Sequence, residues 1–267
     1  MNWTPVDPRA AAGLGDARRQ LHHAAQLATA LGISYLEPRA DDGHTNLEWL
    51  DDVGALASNA VGKVRMGVRV ADLTLLIDGA ELPLRGRAIE GAIGWIRERL
   101  AKAGLDPRRY TLKRHYEIPG HPVANGQPFD ARPEQLGELS HWFGNAAGLL
   151  EALRSRTPGA SEVRCWPHHF DIATLITLGR GRTVGAGLEP GDVYYDEPYF
   201  YVNPQPAPKA SALTDRLEGD GAWHTHGWIG AVLRGSRLTS DARAQAAQAG
   251  QFLESAVRAC TRLATSG

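Results

Sequence analysis

Leu73-Thr74-Leu75-Leu76-Ile77-Asp78-Gly79-Ala80-Glu81-Leu82-Pro83-Leu84 sets two short apolar segments on either side of an Asp-Gly pair. Both turn positions tolerate positive φ, so the stretch predicts a tight antiparallel hairpin with residues 73–77 on one arm and 81–84 on the other. Just upstream, Val64, Met66, Val68 and Val70 alternate with Arg65, Gly67 and Arg69. That period of two marks a sheet with one solvated face, and residues 45–70 read as strands.

Helical periodicity brackets this block. Leu21, Ala24, Ala28 and Leu31 recur on one face of a first helix over 17–31, capped by Asp16 and closed by Gly32. Ile89, Ile93, Ile96 and Leu100 do the same over 88–103, and Leu136, Leu139, Phe143, Ala146, Leu150 and Leu153 over 133–156. A last helix begins near Ser240 and places Ala249, Leu253, Ala256, Cys260 and Leu263 inward. Residues 163–202 and 223–233 read as strand, and a Pro-rich loop occupies about 204–221. Blocks of helix and strand with a clear hairpin argue for an α+β class: one globular domain, 1–267, with a largely antiparallel sheet packed by three to four helices.

Composition narrows the function classes. A formal net charge of -1 and scattered Arg and Lys give no basic field for nucleic acid. No apolar run approaches the roughly 20 residues needed to span a bilayer. The N-terminus lacks the basic start and apolar core of a secretory signal, and Cys165 and Cys260 form no disulfide framework. The expectation is a cytoplasmic protein with a small-molecule ligand or substrate and neither nucleic-acid nor membrane partners.

Chemistry concentrates at Cys165-Trp166-Pro167-His168-His169-Phe170-Asp171. Read as extended chain, His169 and Asp171 share a face, an economical way to offer an imidazole and a carboxylate to one divalent metal, Fe(II) or Zn. His224-Thr225-His226 supplies further ligands, and His115-Tyr116-Glu117 presents a second His-x-acid pair suited to acid-base work. Tyr194-Tyr195-Asp196-Glu197-Pro198-Tyr199-Phe200-Tyr201 reads as a strand with rings on both faces, either core packing or a stacking wall for a ligand. His22 and His23 point in different directions from the first helix, and His22 with Gln26 is expected at the surface rather than as a polar patch facing a pocket. Two function classes follow: a mononuclear-metal enzyme acting on a small, partly apolar molecule, and a non-catalytic ligand-binding or sensing protein with a pocket of histidines and aromatics.

Two resemblances bear on these readings. Leu21-His22 with Gln26, His44-Thr-Asn-Leu47, the Asp78-Gly79 hairpin, Ile118-Pro119, Pro128-Phe129-Asp130 and Trp166-Pro-His-His-Phe-Asp-Ile-Ala-Thr174 together resemble an uncharacterised bacterial family of the domain-of-unknown-function kind, over most of 21–180. It implies a single domain and no particular chemistry. His169-Phe170-Asp171, then His224 after 52 intervening residues, then Arg234-Gly235-Ser236 after nine more, resembles the pattern of 2-oxoglutarate-dependent oxygenases. That resemblance implies iron on His169, Asp171 and His224, and a cosubstrate carboxylate gripped by Arg234 and Ser236.

Overall fold

The computed structural model describes residues 3–265. Among them are four α-helices and eleven strands: α1 (Gly15–Tyr35), β1 (Leu47–Leu50), β2 (Ala55–Ser58), β3 (Met66–Arg69), β4 (Thr74–Ile77), β5 (Ala80–Pro83), α2 (Ile89–Lys102), α3 (Pro133–Arg154), β6 (Arg164–Trp166), β7 (Asp171–Gly179), β8 (Arg182–Glu189), β9 (Tyr199–Gln205), β10 (Ala222–His224), β11 (Gly230–Arg234) and α4 (Gln245–Thr265). The class is α+β with antiparallel ladders. The described residues group into two compact units, 15–140 with 164–170 and 3–14 with 141–163 and 171–265. Each is discontinuous in the chain, so no single linker separates them in sequence.

In the unit containing 15–140, strands run in the order β6-β1-β2-β3-β4-β5. The hairpin forms as its turn chemistry requires: Ile77 pairs with Ala80, and Asp78 and Gly79 sit at φ 49° and 72°. Helix α1 lies against β2 and β3. From Ala17 to Gly32 only Arg19 escapes burial or near-burial, so α1 is a core helix rather than an amphipathic surface one. It also runs past its expected stop. Gly32 is helical, and its role is close approach: a Cβ there would lie 2.0 Å from the backbone oxygen of His44. His22 and Gln26, expected at the surface, are only 5% and 2% exposed.

In the other unit the order is β10-β11-β9-β8-β7, again antiparallel. Helix α4 crosses β8, β9 and β11. It starts at Gln245, not near Ser240, because Thr239 and Asp241 hold the preceding residues in turns of their own. Phe252, Leu253, Ala256 and Cys260 are buried along it, and Cys260 Sγ reaches the Val202 carbonyl. Among the described residues neither cysteine forms a disulfide, and both are buried.

Strand register sorts the two faces of this sheet. Ile172, Leu188, Phe200 and Leu233 fall on one face with Val184, Ala186 and Val202, all apolar and buried. Asp171, Glu189, Tyr199 and Arg234 fall on the other, with Gly187, Tyr201, Asn203 and His224. No helix among the described residues is long and apolar enough to cross a membrane.

Candidate functional site

The polar face is organised first by a loop. Pro190-Gly191-Asp192 ends β8, and Asp192 then folds its side chain back on the chain. Its Oδ1 accepts the backbone N–H groups of Tyr194 (2.8 Å) and Tyr195 (2.9 Å), while its own N–H donates to the Tyr195 carbonyl. This is the turn an Asp makes with its own backbone. Its Oδ2 accepts the Tyr199 hydroxyl at 2.9 Å, tying the loop to β9. Residues 194–197 are therefore loop, and only from Tyr199 is the aromatic run a strand, contrary to the expected continuous one.

The loop hands Tyr195 to β10. Its hydroxyl lies 2.7 Å from His224 Nδ1, and His224 Nε2 lies 2.6 Å from the backbone oxygen of His226. A carbonyl can only accept, so Nε2 carries the ring proton and Nδ1 accepts from the Tyr195 O–H. Three rings surround this imidazole. Trp228 is 4.4 Å away at 30°, Tyr194 meets it edge-on at 5.3 Å, and Tyr195 at 5.5 Å. His224 is buried, Tyr195 and Trp228 are half-buried, and Tyr194 at the rim is 40% exposed beside Val193 at 91%. The Arg234 guanidinium sits 5.9 Å from the centre of the Tyr195 ring.

Deeper on the same face, the Tyr201 hydroxyl donates to Asp171 Oδ2. Burial, reinforced by the Asp171 and Glu189 charges, holds the Tyr201 phenol well above its ordinary range. Tyr199 is raised in the same direction by burial and then by Glu189 and Asp192. Tyr195 is also raised by burial, with the Arg234 charge working against it. All three hydroxyls remain protonated donors at neutral pH. A Cβ on Gly187 would come within 2.8 Å of the Tyr201 ring, so the glycine leaves room for that ring beside β8.

The expected metal ligands meet this geometry unevenly. Pro167 to Phe170 form a turn, with Phe170 at φ 74°, and β7 begins only at Asp171. His169 and Asp171 thus do not share a strand face, and they belong to different units. His169 is exposed. His226 lies beyond the end of β10, so it is not on the strand face of His224 and contributes its carbonyl to that ring. Both His224 ring nitrogens are engaged. Among the described residues no group of three or more His, Cys, Asp or Glu side chains is arranged to hold a metal ion.

Ser236 and Arg234, expected to grip a cosubstrate carboxylate, lie against the protein's own Glu197. Ser236 donates its N–H to Glu197 Oε2 at 2.7 Å and its hydroxyl to Oε1 at 3.0 Å, and Arg234 Nη1 is 3.8 Å from Oε1. The two residues do not lie on one extended strand either. Arg234 ends β11, and Gly235–Arg237 is a turn of 3-10 helix.

His115 and Glu117 lie in an irregular segment of the other unit, so the strand parity expected of them does not apply. His115 pairs with Asp42 at 3.0 Å. Nearby, His22 Nε2 and Gln26 Nε2 both reach the Pro167 carbonyl, at 2.7 and 2.9 Å, and the Tyr116 hydroxyl donates to Gln26 Oε1. The His22 ring stacks flat on Phe170, centroids 4.5 Å apart. Burial pushes His22 down to about 3, so it is neutral and acts as a strut for the Pro167–Phe170 turn.

Sequence reasoning weighed the tyrosine run but passed over Asp192 and Trp228. Asp192 had a readable signal, an Asp directly after a Pro-Gly pair and two residues before Tyr194-Tyr195. Trp228 had none, since it lies in the irregular loop between β10 and β11 that brings its ring back onto His224. Comparison with protein-family models, with curated proteins and with solved structures finds no match for this chain.

Proposed function

We propose that the protein binds a small, partly apolar molecule at the ring cluster of Tyr194, Tyr195, His224 and Trp228. The observation that carries this reading is the His224–Tyr195 pair set against the Trp228 and Tyr194 rings, with Tyr194 exposed at the rim. Rings held in place by an Asp-pinned loop offer a rigid apolar wall, and the Tyr195 oxygen offers one directional polar contact, the usual make-up of a small-ligand site.

Use of the same residues as ligands for Fe(II) or Zn would require His224 to give up one of its two hydrogen bonds and Asp171 to share the carboxylate that Tyr201 holds. Binding therefore accounts for the geometry more directly than a mononuclear-metal enzyme does. Two buried thiols fit a reducing compartment, consistent with the cytoplasm.

The test is saturation-transfer NMR of the whole chain against a panel of small aromatic and heteroaromatic compounds, with metal analysis of the same preparation. At least one compound should bind saturably, and Trp228→Ala with Tyr194→Ala should abolish the transfer. A stoichiometric metal that is lost on Asp171→Ala would overturn the reading in favour of a metal enzyme.

A further inference from the structure

Tyr195 and His224 have the parts of a proton relay, and the inference rests on the binding site proposed above. An O–H group, a base and a fixed orienting acceptor stand in line: Tyr195 Oη 2.7 Å from Nδ1, and Nε2 2.6 Å from the His226 carbonyl. This is the pattern of an activated hydroxyl, in which the base is held in one tautomer by a third group. Tyr195 is the half-exposed member and His224 the buried one, so the phenol oxygen is what a bound molecule would touch.

We propose that Tyr195 acts as a general base toward the bound molecule, passing its own proton to His224. The ligand's X–H bond and the Tyr195 O–H bond break. A new Tyr195 O–H bond and a His224 Nδ1–H bond form. The electron pair of the X–H bond stays on the ligand, and the positive charge resides on the imidazolium. Loss of one proton from the pair, back to the ligand or, where the ligand has reacted onward, to water, restores the neutral Tyr195 and His224, so no oxidant or cofactor enters the step.

The surroundings suit each charge that develops. The imidazolium would keep its Nε2–H on the His226 carbonyl, now as a charge-assisted bond, and would lie against the Trp228 ring 4.4 Å away. Negative charge passing through the Tyr195 oxygen would be offset by Arg234 beside that ring.

The probe is 5-nitrobenzisoxazole, a small apolar heteroaromatic whose ring opens at the N–O bond once a base removes its C–H proton, giving a coloured phenolate. The full chain should accelerate the opening saturably. Tyr195→Phe should lower kcat about 100-fold, with KM rising less than about tenfold as its one polar contact is lost, and His224→Gln should lower kcat likewise. Nitrogen-15 NMR of the Tyr195→Phe protein should still show His224 protonated at Nε2, which separates loss of the relay from loss of structure. Saturation-transfer NMR reports probe binding independently. Probe bound by the wild type but opened no faster than by Tyr195→Phe would overturn the relay and leave the binding site standing. No binding of the probe, together with no binding in the compound panel, would overturn both.

Discussion

Glu197→Ala should destabilise the protein by about 2 to 3 kcal/mol, a magnitude built from the contacts its carboxylate makes. Hydrogen bonds to a charged group contribute about 1.5 to 3 kcal/mol each. Glu197 accepts two, from the Ser236 N–H at 2.7 Å and the Ser236 hydroxyl at 3.0 Å. Ser236 is exposed, so water replaces the bond to its hydroxyl and that contact counts for little. Arg234 is 39% exposed and 3.8 Å away, so the ion pair adds under about 1 kcal/mol. The bond to the backbone N–H then dominates. Equilibrium urea unfolding measures the loss directly, and Glu197→Gln, which keeps an acceptor without the charge, should lose about half as much.

The vacated clamp also makes a ligand prediction. Acetate or 2-oxoglutarate should raise the urea midpoint of Glu197→Ala, because a ligand that binds only the folded state stabilises it by mass action. The same anions should leave the wild type unmoved. A Glu197→Ala change within about 0.5 kcal/mol of wild type, or a wild type stabilised by 2-oxoglutarate as strongly as the variant, would falsify the assignment of Arg234 and Ser236 to an internal carboxylate.

Three further outcomes are expected. Gly32→Ala sets a gain of about 1 kcal/mol in helix propensity against a Cβ placed 2.0 Å from the His44 oxygen; the clash should win by about 2 kcal/mol or more, and a more stable variant in urea would show that α1 does not approach residue 44 so closely. His22 is held at about 3 when folded against an ordinary 6.5, so between those values the unfolded chain binds more protons: its contribution is intact above pH 6.5 and is lost as pH falls toward 3, by at most about 4 kcal/mol. His22→Gln should flatten that slope, and parallel urea titrations at pH 7 and pH 4 decide it. Tyr201→Phe removes a donor from the buried Asp171 carboxylate and should cost about 2 kcal/mol, whereas no change in midpoint would mean that the bond contributes nothing.

The amino-acid sequence by itself determined the features whose causes are local. Asp78 and Gly79 make a hairpin because their own φ preferences allow it, whatever else the chain does. The apolar spacing of α1, α2 and α3 identifies them as helices for the same reason, and with the hairpin it settles the α+β class. Only the tertiary structure decided the candidate site, because each disputed residue answers to a partner far along the chain. His169 and Asp171 lose their shared face since residues 167–170 turn, and that turn is held by His22 and Gln26 from a helix more than 140 residues earlier. Arg234 and Ser236 read as a grip for a cosubstrate carboxylate, whereas the fold brings Glu197 to Ser236 from 39 residues away. His224 read as a metal ligand until the loop pinned by Asp192 delivered Tyr195 to one of its nitrogens and the chain beyond β10 curled a carbonyl to the other. Side-chain type fixes what a group can donate or accept, whereas packing decides which partner it meets.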